Sequence, residues 1–177
     1  MSLRKPSLAS STTVRSFGLA LENGHARLNR GFGWDLRRPI AVFDIDIGMF
    51  AYGADGLPAS ADASIPFWGT ATCDGALRLT EGGYLADDDV SLCIDVCRVP
   101  EHIHSYEIVW KIRDAETHDQ CFGLIKNAYM RFADKPFRWD ALDHFIDTTS
   151  MTSSRLLVAR LVRSDPGWLL FKEATQI

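Results

Sequence analysis

The stretch Phe43-Asp44-Ile45-Asp46-Ile47-Gly48 sets two carboxylates one residue apart in an otherwise apolar run. The alternation reads as a strand, and residues two apart in a strand face the same side with Cα atoms roughly 6.6 Å apart. Carboxylates that close raise each other's cost of ionisation. Burial beside Phe43, Ile45 and Ile47 would add desolvation. A bound cation relieves both, and Ca2+ accepts about six to eight oxygen ligands from carboxylates and backbone carbonyls. A solvated strand face accounts for the same pattern, and the residues alone leave both readings open.

A second acidic segment, Glu81-Gly82-Gly83-Tyr84-Leu85-Ala86-Asp87-Asp88-Asp89, ends in three consecutive aspartates just before an apolar run. Its glycines permit tight carbonyl geometry, and Asp87, Asp88 and Asp89 offer hard oxygen ligands. An acidic run at a strand start is also the ordinary composition of a solvated turn. An EF-hand is excluded. Counted from Asp44, its glycine position falls on Met49 and its closing glutamate position on Asp55. His102 and His104 could share a strand face, but no third histidine or cysteine stands at zinc-finger spacing. Neither a P-loop nor a dinucleotide fingerprint occurs, and no serine or cysteine nucleophile can be paired with a base from spacing. A hydrolase working through paired carboxylates or a metal-bound water would rest on the acidic clustering alone.

The elements that must position these residues are short and turn-punctuated. Asn23-Gly24, Asp55-Gly56, Asp74-Gly75 and Asp165-Pro166-Gly167 carry turn chemistry. Tyr106, Ile108, Trp110 and Ile112 alternate with Glu107, Val109, Lys111 and Arg113, and Leu92, Ile94 and Val96 alternate with Cys93, Asp95 and Cys97. The runs 156–162 and 168–172 flank the Asp-Pro-Gly turn as a hairpin. A short helix is expected near residues 140–145. The fold class is therefore all-β, a β-sandwich of two mostly antiparallel sheets with one or two short helices.

The chain has 177 residues, of which 46% are hydrophobic and 24% charged, with a net charge of −4. That is enough chain for one domain with a full core, and its mild acidity argues against nucleic-acid binding. No apolar run reaches the roughly 18–20 residues that span a membrane, and the N-terminus has no secretory apolar region, so a cytoplasmic location is expected. Residues 1–16 form a Ser-rich segment read as a flexible tail, and 17–177 form the domain. Cys73, Cys93, Cys97 and Cys121 form no CxxC pair and are expected to be reduced and mostly buried.

Gly31-Phe32-Gly33-Trp34-Asp35, Phe43-Asp44-Ile45-Asp46-Ile47, Asp74-Gly75-Ala76, Val99-Pro100, Phe122-Gly123 and Asn127-Ala128-Tyr129-Met130-Arg131 follow one another along the chain, an ordered series that resembles the TerD family. Gly31-Phe32-Gly33-Trp34-Asp35 is similar to that family's Leu-Gly-Trp-Asp, and Phe43-Asp44-Ile45-Asp46-Ile47 to its Phe-Asp-Leu-Asp-Ala. Ala54-Asp55-Gly56, Asp74-Gly75-Ala76 and Val99-Pro100 follow at matching places. So do Phe122-Gly123, Asn127-Ala128-Tyr129-Met130-Arg131 and Arg138-Trp139-Asp140. The resemblance covers residues 21–174. It implies a non-catalytic bacterial β-sandwich protein linked to tellurite and other stresses, which binds one or two Ca2+ ions through acidic loops. Asp44, Asp46, Asp88 and Asp89 would be ligands, with Asp87 and Asp74 as further candidates. Stress-response or membrane-associated proteins would be partners. Departures weaken the implied site: Ala86 stands for an aspartate and Val90 for a glutamate, Ile47-Gly48 replaces Ala-Ser, and an asparagine after Phe67-Trp68 is missing. Each lost oxygen lowers affinity. The alternative is a metal-free protein-interaction module on the same fold, with Phe67 and Trp68 as candidate contact residues, although buried core is the expected home for those two rings.

Overall fold

The computed structural model describes residues 27–36, 44–81, 89–133, 142–164 and 167–177. Nine strands are described: β1 Arg27–Leu36, β2 Ile45–Tyr52, β3 Leu77–Glu81, β4 Val90–Asp95, β5 Ser105–Ile112, β6 Ile125–Ala133, β7 Leu142–Phe145, β8 Arg155–Ser164 and β9 Gly167–Gln176. They form a five-stranded sheet in the order β3-β4-β1-β6-β7 and a four-stranded sheet in the order β2-β5-β8-β9. Every strand pairing is antiparallel. The described helix is short: α1, Ala115–His118, accompanied by 3-10 turns at Ala61–Ala63 and Phe122–Leu124. The all-β sandwich read from the sequence is what the chain adopts.

Alternation builds the core between the sheets. Ile45, Ile47, Met49 and Ala51 of β2 face inward, as do Tyr106, Ile108, Trp110 and Ile112 of β5. Leu77, Leu92, Ile94, Ala128 and Met130 of the other sheet join the same cluster. Each large apolar side chain buried this way contributes about 1.5–3 kcal/mol. A bulge between Ile108 and Val109 in the pairing with β8 breaks strict alternation, and the paired Val109 and Leu157 are both buried.

Turn chemistry holds where it can be followed. Gly56 and Gly75 take φ of 75° and 68°, the left-handed region that a side chain resists. Asn127 takes φ 53°, where the β1–β6 register shifts between Gly33 and Asp35. Asparagine tolerates that region, which gives the Asn-Ala motif a backbone reason. The hairpin expected at the C-terminal end is β8 and β9, longer at both ends than the runs suggest, with its turn residues 165–166 outside the described residues.

Three expectations are corrected. The helix expected near 140–145 is instead strand β7, paired from Leu142 to Phe145 with Phe132 to Tyr129. The flank of β6 away from β1 offers backbone partners to this segment, and tertiary pairing overrides its local preference. The thiols are not mostly buried: Cys73 and Cys97 are exposed, and Cys93 and Cys121 are half-buried. The run at 91–97 ends as a strand at Asp95, so Cys97 turns out into solvent. The Phe67-Trp68 pair is not core. Trp68 is 86% exposed and Phe67 half-buried, because they lie in the connection covering the outer flank of β2.

A candidate cation site at one end of the sandwich

The backbone ladder between β2 and β5 runs one residue past its last strand pair. The Arg113 N–H donates to the Asp44 carbonyl at 2.9 Å, beyond the Ile45–Ile112 pair. That places the Arg113 side chain on the outward face beside Asp44 and Asp46. Its Nε donates to Asp46 Oδ2 at 3.2 Å, its Nη2 donates to Asp46 Oδ1, and its Nη1 lies 3.6 Å from Asp44 Oδ2. Both Asp46 oxygens are thus engaged in a fork that matches carboxylate geometry. The Asp46 side chain is only 13% exposed, whereas those of Asp44 and Arg113 are 56% and 55% exposed. The hydrogen bond and charge of Asp46 push the Arg113 guanidinium above its usual range.

The two carboxylates do share a face, and a cationic group does meet them there. The cation is a side chain of the same strand pair. Sequence reasoning placed Arg113 on the polar side of its strand and missed this role. Nothing short of the β2–β5 register points to it: Arg113 stands one residue beyond β5, opposite Asp44 one residue before β2. Lys111, directly opposite Asp46, carries its Nζ instead to 5.5 Å from the centroid of the Phe67 ring.

β4 opens at the same end of the molecule. β1 runs four residues past its Phe32–Val90 pair to Leu36, opposite Ile125. Ile125 begins β6 directly after the turn in which Phe122 N–H donates to Ser153 O at 3.0 Å, and Ser154 O accepts from Ile112 N–H at 2.9 Å. The end of β1, the starts of β2, β4, β6 and β8 and the end of β5 therefore gather at one end. Asp89, exposed, precedes β4 there. Asp87 and Asp88 lie outside the described residues. Among the described residues, no three His, Cys, Asp or Glu side chains converge on a common point.

Asp74 is not part of this end. It precedes β3, whose first residue Leu77 pairs with Ile94 near the end of β4. Its Oδ1 accepts from Thr72 Oγ1 at 2.6 Å and from Ala76 N–H at 2.8 Å, and its carbonyl accepts from Arg98 Nη2. Those bonds are those of a carboxylate closing its own turn. His102 and His104 lie in the exposed connection before β5 rather than on a strand.

The donor set at the Asp44–Asp46 end suits a hard cation in part. Two carboxylates converge on one positive group, and oxygen ligands beyond these would have to come from residues 82–89 and nearby carbonyls. On the same outward face Gly48 keeps β2 bare. A Cβ there would lie 2.8 Å from the Phe50 ring and 3.0 Å from the Phe67 ring, which meet edge to face at 5.4 Å between centroids.

The comparisons with known proteins agree with this architecture. The TerD domain pattern matches residues 17–173. A tellurium resistance protein TerD of an Alcaligenes species is 28% identical over 146 residues, spanning 78% of this chain and 74% of that protein. General stress protein 16U of Bacillus subtilis is 24% identical over 152 residues, spanning 82% and 78%. The crystal structure of a homologue of the telluride resistance protein TerD from Streptomyces coelicolor superposes with a TM-score of 0.65 at 17% identity. It covers 87% of this chain and 91% of that one, a likeness of fold. No described helix is long and apolar enough to cross a membrane. The chain belongs to the TerD domain family, among relatives named for tellurium resistance and stress response.

Proposed function

We propose that this TerD-family domain is a non-catalytic, cytoplasmic stress-response module that binds Ca2+ at the end of the sandwich bearing Asp44 and Asp46. The observation that carries the reading is the convergence of those two carboxylates on a single cationic group, at the end where Asp89 precedes β4. Asp44 and Asp46 would hold the ion from the start of β2, and Asp87, Asp88 and Asp89 from the segment before β4. Bound Ca2+ would supply electrostatic cross-linking of the two sheets and no reaction. Asp74 contributes nothing to that site, since its carboxylate already closes the turn before β3. Calorimetric titration of the chelator-treated protein with Ca2+ tests the reading. Binding should be present in the wild type and lost in an Asp44→Asn, Asp46→Asn double variant. Undiminished binding in that variant would remove these two residues from the site.

A second reading is a metal-free interaction module on the same fold, and Trp68 favours it. An indole 86% exposed beside the Phe50–Phe67 pair is unusual surface for a residue type enriched in binding hot spots. Proteins of the stress response would be its partners. Capture of such partners by the wild type but not by Trp68→Ser, both folded, would support it. Equal capture would sink it.

A further inference from the structure

We infer that Arg113 is a built-in counter-cation of the Asp44–Asp46 pair, a residue that Ca2+ must displace and that therefore sets the affinity of the site. The inference rests on the calcium reading above and deepens it.

Three contacts carry it. Nε and Nη2 of Arg113 take both oxygens of Asp46, and Nη1 faces Asp44 Oδ2 at 3.6 Å. Each Asp46 oxygen has one of its lone-pair directions taken by the guanidinium, and a positive group at this distance repels an incoming divalent ion. Two carboxylates and one guanidinium leave a net charge of only −1, and Ca2+ affinity follows the ligand charge count.

The arrangement is also reversible by construction. The Arg113 side chain is 55% exposed, and its backbone stays anchored to Asp44 through the ladder bond at 2.9 Å. The guanidinium can swing into solvent without disturbing β5, since its side chain already stands half in water. Asp46, only 13% exposed, has no comparable freedom, so whichever cation is present must come to it. The carboxylate pair is thus kept partly neutralised at low Ca2+ by Arg113 and passes to the metal only when Ca2+ is high. The site behaves as a threshold device rather than a permanent metal centre.

The test uses the full chain after chelator treatment. Ca2+ affinity is measured by calorimetry for the wild type, Arg113→Gln and Arg113→Lys, with Mg2+ as control. Removing the guanidinium should tighten Ca2+ binding about three- to tenfold. Lysine, a point charge that cannot grip both oxygens of Asp46 at once, should fall between. In the wild type, the Arg113 Nε–Hε resonance should move on adding Ca2+, a readout that needs no variant to fold. Equal affinity in the wild type and Arg113→Gln, or an unmoved Nε resonance at saturating Ca2+, would overturn the inference and leave the calcium reading standing. Binding by Arg113→Gln alone would support the inference and remove calcium from the wild-type function. Absence of binding in all three proteins would overturn both.

Discussion

The guanidinium of Arg163 lies over the indole of Trp168, with 4.5 Å between its central carbon and the ring centroid. From that position Nε donates to Ile103 O at 2.9 Å and Nη2 donates to Pro100 O at 2.9 Å. One side chain of β8 thereby ties the connection before β5 to β9. The tie needs a planar, multiply donating cation, which lysine is not. Arg163→Lys should cost about 1–2 kcal/mol in urea unfolding, with increased hydrogen exchange in residues 100–104. A change within error would show that the connection holds by itself.

Gly123 makes the Phe-Gly motif intelligible. Its N–H donates to Met151 O at 3.0 Å, and a Cβ built there would meet that carbonyl oxygen at 2.5 Å. Two backbone segments cannot separate cheaply, so Gly123→Ala should destabilise the domain by about 1–3 kcal/mol. A neutral substitution would mean the 150–153 segment can retreat.

Alkaline pH should weaken the fold through two phenols. Burial, and then the hydrogen bond and charge of Glu107, raise Tyr52 above its ordinary 10.0. Burial, and then the charge of Asp74, raise Tyr106 further. A group whose folded pKa is raised contributes stability that is complete below its unfolded value and is lost as pH climbs through the folded one. The urea midpoint should therefore decline above about pH 10, and less steeply in Tyr106→Phe. An identical decline in both proteins would mean Tyr106 does not contribute.

The aromatic pair on the outer flank of β2 should divide in its response. Trp68→Ser, at a residue 86% exposed, should change stability by no more than about 0.5 kcal/mol. Phe67→Ser loses its edge-to-face contact with Phe50 and should cost about 1–2 kcal/mol. Unfolding caused by Trp68→Ser would show that the indole supports the fold and would weaken the interaction reading.

Where one physical signal dominated, the sequence was readable. The period-two runs of β5 and the β8–β9 hairpin follow from alternation and turn residues, and the sandwich follows from their number. Asp44 and Asp46 were legible as a pair because strand periodicity puts them on one side. What met them was not legible. Arg113 is 67 residues from Asp46, and only the β2–β5 register brings it there. Helical character at 140–145 was read from a segment too short to decide, where the unpaired flank of β6 settled the matter. Phe67 and Trp68 were expected in the core because large rings usually are, yet a chain segment laid over an outer flank has no second sheet to bury them. The thiols were misjudged for a similar reason: residue type suggested burial, whereas β4 ends before Cys97, and Cys73 sits in the turn ahead of β3.

Ca2+ held by Asp44 and Asp46 in the folded protein would stabilise it by mass action. Thermal unfolding of the chelator-treated chain, with and without millimolar Ca2+ and with Mg2+ as control, tests it most directly. A ligand at about a hundredfold excess over its dissociation constant stabilises the folded state by about 2.7 kcal/mol. For a domain of this size that is a rise of roughly 5–10 °C in Tm. Ca2+ should give such a rise, Mg2+ little, and the Asp44→Asn, Asp46→Asn variant none. A wild-type Tm unmoved by millimolar Ca2+ would contradict it.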